Sequence, residues 1–222
     1  MTQLLAVLHK DLLIEWRVRS RAFALATFAL TVLLLFSFAV GPDTEVLRQH
    51  AGAYLWLALL LSSTLLLGQS FQIEVESGAM ETVMLAPTSP AALFYGKAVA
   101  NTLQLVLLGL IGLPACVALF DAAMAEGLLR LMPVLLLGAA GLAAPGTLYA
   151  ALTARMGSKQ LLLPLLLFPL IVPCLLASVK ATSLVMMGDP MDQVAAWLKL
   201  LVSFDALYWA LCGLLFGRVI EH

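Results

Sequence analysis

Glu74, Glu76 and Glu81 lie close together in FQIEVESGAMETVMLAPTSPAALFYGK, residues 71–97, between two apolar runs of membrane length. They are three of the chain's 13 acidic residues, and Pro87 and Pro90 follow them. Carboxylates beside hydrocarbon are costly unless water or a partner surrounds them. Two accounts stay open at the level of residues: the acids solvate a turn, or they meet a basic or polar partner surface. Acid–base catalysis would need a second titratable group paired with one of them, and no such pairing is visible.

Other reactive side chains are sparse. No GxxxxGK[ST] phosphate loop is present; Gly157-Ser158-Lys159 lacks the upstream glycine and the strand that such a loop requires. GxSxG, HExxH and DFG signatures are absent. His9, His50 and His222 are scattered without metal-site spacing. His50, Met186 and Met187 are placed on the outer side by the topology below and carry atoms able to ligate heme iron, although a lone loop histidine is usually just solvated. Cys116, Cys174 and Cys212 fall inside apolar runs without a CxxC pair, as small apolar packers do. Asp205 is the one acid inside an apolar run, where a functional role and a hydrated interface position both stay open. The chain has no means of hydrolysing a nucleotide and lacks the several intramembrane ionisable groups of an ion-coupled carrier. A separate energised partner is the economical reading.

The elements that position these residues are membrane helices. Of 222 residues, 63% are hydrophobic and 11% charged, against roughly 25% charged in a soluble domain. Mean hydropathy is +1.03. The fold class is all-α, a polytopic membrane protein in one domain over 1–222. A net charge of −1 offers no basic footprint for nucleic acid.

A hydrocarbon core of ~30 Å takes about 20 helical residues. Six stretches qualify: Ala22–Val40, Ala51–Ser70, Ala98–Phe120, Leu131–Ala154, Leu161–Val179 and Lys199–Gly217. The fourth and fifth are separated only by Arg155–Gln160. The first is expected to be a retained span, since it exceeds a signal core of about 7–15 residues and no A-x-A site ends it. Residues 1–21 are expected to form an interfacial helix, with Leu5, Leu8, Leu12 and Trp16 in one stripe and Lys10 and Arg17 opposite. Residues 180–198 are expected to form an outer-face segment, with Trp197 at the interface; Trp56 fits that belt only if the second span is tilted or shifted.

Of the 12 lysines and arginines, eight fall on the N-terminal side of the alternating spans: Lys10, Arg17, Arg19, Arg21, Lys97, Arg155, Lys159 and Arg218. Arg48, Arg130, Lys180 and Lys199 fall on the other. The asymmetry places both termini, and residues 71–97, in the cytoplasm. In the fifth span, Pro164, Pro169 and Pro173 each remove a backbone donor, so a bent or broken helix is expected there, as a functional hinge or a harmless kink. Gly138, Ala139, Ala140, Gly141, Ala143, Ala144 and Gly146 mark close helix packing, at a subunit contact or inside the bundle.

An interfacial helix, six spans and an acidic segment after the second together resemble the membrane subunit of an ABC exporter. There the segment reads approximately E-x-E-x-G-x-x-E before a leucine-rich stretch and a proline. Here Glu74, Glu76, Gly78, Glu81, Leu85 and Pro87 match it, and Lys97 opens the third span. The importer-type EAA loop is absent. More narrowly, the whole chain is similar to the heme exporter protein B (CcmB) family of cytochrome c maturation. That similarity rests on Lys10-Asp11-Leu12 with Glu15-Trp16-Arg17, on FQIEVESGAMETVMLAP, and above all on LLLPLLLFPLIVP.

The resemblance implies an ABC exporter permease fold with a short coupling helix, Ser77–Leu85, seated on a separate ATPase. The implied contacts are Glu74, Glu76, Ser77, Gly78, Met80, Glu81 and Leu85. It further implies a homodimer with two copies of the ATPase CcmA, association with CcmC, CcmD and the heme chaperone CcmE, and residence in the bacterial inner membrane. ATP would be bound in the partner, heme would be the cargo, and this chain, not itself an enzyme, would bind no cofactor. A permease for a lipid, glycan or drug, and a non-transporting assembly scaffold, are the rival readings.

Overall fold

Capping and turn residues bound several of the helices, some of them well beyond the apolar runs. The computed structural model describes residues 2–76, 89–122, 127–155, 162–189 and 191–221, with backbone alone at 2, 16, 72–76, 128, 155, 162, 220 and 221. Among them are seven helices and no strand: α1 (Thr2–Arg17), α2 (Arg19–Val40), α3 (Thr44–Glu76), α4 (Pro90–Phe120), α5 (Leu128–Arg155), α6 (Leu162–Met187) and α7 (Val194–Glu221). Six of these, α2 to α7, are long and apolar enough to cross a membrane. Even α2, with 22 residues, reaches about 33 Å at ~1.5 Å per residue.

The caps are local and legible. Gly41, at φ 76°, closes α2, a conformation that glycine adopts without penalty. Asp43 Oδ1 then accepts from Val46 N at 3.2 Å to open α3. Ser89 Oγ accepts from Ala92 N at 3.2 Å, with Pro90 in the first turn of α4. Asp189 Oδ2 accepts from Val194 N at 2.8 Å and opens α7. The three connections at the far end of the bundle, 41–43, 121–127 and 188–193, are short, so their flanking helices run side by side.

The small-residue helix α5 is the centre. It packs against α3, α4, α6 and α7, while α2 sits outside against α3 and α4. Gly138 faces Trp56 of α3 and Ser178 of α6; Gly141 faces Cys174 of α6 and Phe204 and Asp205 of α7; Gly146 faces Leu67 of α3. A side chain at any of the three would collide, so these glycines set the approach distance between backbones. The small-residue run therefore serves packing inside the bundle.

Several expectations are corrected. The helices outrun the apolar windows: α3 extends to Glu76 and α4 begins at Pro90, so the break read as 71–97 narrows at both ends. Residues 180–198 are mostly helical, since α6 continues to Met187 and α7 starts at Val194. The cause is packing: Thr182 Oγ1 accepts a hydrogen bond from Trp56 Nε1 at 2.9 Å, and Ser183 lies against Gly52. Trp56, only 1% exposed, is therefore a core residue and not part of an interfacial belt.

Of the two outcomes expected at Pro164, Pro169 and Pro173, a bend or a break, the break is not seen: α6 is helical through all three. Pro164 lies in the first turn, where no intrahelical donor is lost. Pro169 and Pro173, four residues apart, lie on the exposed face of α6, away from the buried Leu167, Ile171 and Cys174. Their missing donors leave the bundle-facing contacts intact. The fourth and fifth spans are separate helices packed on one another.

Candidate functional site

The end of the bundle where α3 finishes and α4 begins carries most of its paired charge. Phe71, fully buried near the end of α3, faces Phe216 of α7 at a 6.1 Å ring separation, and Phe94 of α4 lies 5.3 Å from the same ring. Tyr95 stacks on Trp209 at 6.2 Å. These aromatics fix where α3 leaves the bundle and where α4 re-enters it.

Lys97, one residue beyond Gly96 on α4, is 2% exposed. Its Nζ lies 3.3 Å from Asp11 Oδ2 on α1 and donates to Ser70 O on α3 at 3.0 Å. The ammonium also sits 4.7 Å from the centre of the Phe71 ring. Asp11 is shared with Lys10 at 3.2 Å. One turn along α1, Glu15 accepts from Gln104 Nε2 at 3.3 Å and lies 3.7 Å from Arg21, whose other nitrogen donates to Leu66 O at 3.0 Å. Burial pushes the Glu15 carboxyl up from its ordinary range, and Arg21 opposes that shift. Deeper in the bundle, Asn101 Nδ2 donates to Thr147 Oγ1 at 2.9 Å. A cavity of about 30 Å³ lies among Asp11, Glu15, Arg21, Lys97, Asn101 and Gln104. That is room enough for water among polar partners.

This network explains how α1 is seated. Leu4, Val7, Asp11, Ile14 and Glu15 form its inward face, so the acids take part in docking. Leu5 of the expected apolar stripe is 56% exposed and points away from the bundle.

The architecture can be set beside known proteins. The chain matches the family described as "CcmB protein" over residues 2–222. The chain belongs to the CcmB family. It is similar to heme exporter protein B of Bradyrhizobium diazoefficiens, 34% identical over 215 residues, covering 96% of this chain and 90% of that protein. Heme exporter protein B of Rhodobacter capsulatus is 35% identical over 171 residues, 77% of this chain and 78% of its own. The Escherichia coli K12 protein of the same name is 31% identical over 183 residues, 81% of each.

In this CcmB-family chain, Glu74 and Glu76 belong to the last helical turns of α3. Ser77, Gly78, Met80, Glu81, Leu85 and Pro87 lie outside the described residues. His50, on the exposed side of α3 near its start, has Nδ1 3.0 Å from Val46 O. Met187 is exposed at the end of α6, whereas Met186 is buried in the core. Among the described residues, no group of three or more His, Cys, Asp or Glu side chains could hold a metal ion. Asp205 faces inward, 8% exposed, with neither carboxylate oxygen hydrogen-bonded to the described protein.

Sequence reasoning took Lys97 as the opening of the third span, used Asp11 and Glu15 only as marks of the family resemblance and Arg21 only for topology, and gave Gln104 no role. The available signal was the pair of acids four residues apart on α1, which calls for cations on whatever surface receives it.

Proposed function

We propose that this chain is the membrane permease subunit of an ABC-type heme-export complex of cytochrome c maturation. It would sit in the bacterial inner membrane with both termini in the cytoplasm. In this reading a separate ATPase, CcmA, supplies the energy, and two copies of the chain pair with two of that ATPase. The family match across residues 2–222 carries the proposal. The six-helix bundle supports it, interrupted between α3 and α4 by the acidic segment that an ATPase would engage.

The mechanism is mechanical. Closure of the paired ATPases on ATP would push the Ser77–Leu85 segment, with Glu74, Glu76 and Glu81 against polar or basic groups, and Gly78, Met80 and Leu85 filling the groove. The bundle would tilt or part at the seam between copies, with the proline-bearing α6 as its compliant element. CcmC, CcmD and the heme chaperone CcmE are the further partners. Heme is the cargo, or heme-loaded CcmE the species released, and His50, Met186 and Met187 are the candidate contacts at the outer end. The buried Met186 would need α6 to shift before it could reach a ligand.

The test is gentle purification from native membranes with mass-spectrometric identification of partners. An ATPase and heme-handling proteins should accompany the wild-type chain, and less ATPase should accompany Glu81→Lys although it inserts normally. Recovery of the wild-type chain alone would defeat the reading, and unchanged ATPase recovery with Glu81→Lys would remove Glu81 from the interface.

A further inference from the structure

We infer that Lys97 is a positioning residue that binds α1, the end of α3 and the start of α4 into one force-bearing unit. The inference rests on the permease reading above and assigns a role to residues which that reading leaves idle. Its first observation is the burial of an ammonium at a helix junction. Removing a charge from water is expensive, and an apolar side chain of similar length would fill the same space without that cost. The contacts of Lys97 are what an apolar substitute could not make. It joins a carboxylate on α1 to a main-chain carbonyl on α3 from its own position on α4. Ser70 O lies nearly two turns before the end of α3.

The second observation is that α1 is fastened along the start of α4. A Cβ on Gly96 would lie 2.8 Å from Val7 Cγ1 and 3.2 Å from Leu4 O, so the two helices meet at contact distance. Ser89 N donates to Gln3 Oε1 at 3.4 Å, which ties the beginning of α1 to the N-cap of α4. By contrast α1 makes little contact with α2, its immediate neighbour in sequence. The helix α1 packs along the opening of α4 and reaches the departing end of α3 through Lys97. A push delivered between α3 and α4 cannot spread them apart without breaking the Lys97–Ser70 O bond, and α1 follows α4 through the Asp11–Lys97 pair. The push moves the three ends together and carries α1 through the headgroup plane.

The decisive variant is Asp11→Leu/Lys97→Met, tested within the assembled complex. It removes both charges, orphans neither, and keeps apolar volume, an exchange that usually leaves stability near neutral. ATPase recovery with the tagged permease should match wild type, while c-type cytochrome formed per ATP hydrolysed falls by about tenfold, a typical coupling magnitude. Wild-type yield per ATP in that variant would overturn the inference. If the double variant fails to accumulate, Asp11→Asn decides: it keeps the shape and an acceptor but drops the ion pair. A severalfold lower yield per ATP supports the tether, and an unchanged yield refutes it. Failure of the permease reading looks different, because the wild-type chain would then recover no ATPase and its deletion would spare c-type cytochromes.

Discussion

The Asp11–Lys97 pair spans 86 positions of sequence, with the ammonium buried and the carboxylate partly so. Breaking it from one side strands a charge. Asp11→Ala takes the carboxylate away from an ammonium that also touches Ser70 O and the Phe71 ring, a loss approaching the ~3–5 kcal/mol of a fully buried pair. The expected result is a clear fall in the thermal unfolding midpoint in detergent. A thiol-reactive dye reads that midpoint directly, since Cys116, Cys174 and Cys212 are free and buried.

Glu15 behaves in the opposite sense. Burial raises its carboxyl above the ordinary 4.5 more than Arg21 lowers it, so the folded chain favours the protonated form. Its contribution is complete below the ordinary value and is lost as pH rises through the raised one. Glu15→Gln should therefore unfold at a higher temperature than wild type near pH 8, and the difference should vanish as pH approaches 4.5. An equal gap at both pH values would contradict this. Asp11 and Glu15 stood out in the sequence as part of a family motif, but their pairing did not, because the partners come from α4 and α2 and leave no local pattern.

At the scale of elements, hydrophobic windows found all six spans but placed most of their ends too far inward. The residues beyond the windows are held helical by packing and caps, as with Thr182 against Trp56 and Asp189 at the start of α7. Pro169 and Pro173 read as a bend or a break; α6 does not break there, and their spacing of four puts both on the outward face, where missing donors cost the core nothing. The glycines of α5 were legible as close-packing positions, but their partners were not. Gly141→Leu should drive a side chain into Cys174 and Asp205. Overpacking of this kind costs ~1–3 kcal/mol or more, so the unfolding midpoint should drop well below that of an exposed control such as Leu136→Ala. Equal midpoints would mean that α5 can retreat from α6 and α7.

For the molecule as a whole, the class was plain from composition, and the acidic break was plain as a feature. Its boundaries shrank, and the charges fixed in place beside it proved to be those of α1 and Lys97. The opposite end has a consequence of its own. Only three, seven and six positions join α2 to α3, α4 to α5 and α6 to α7 there. Helices so closely leashed cannot travel far from their neighbours, so the bundle moves as three hairpins and not as six independent rods.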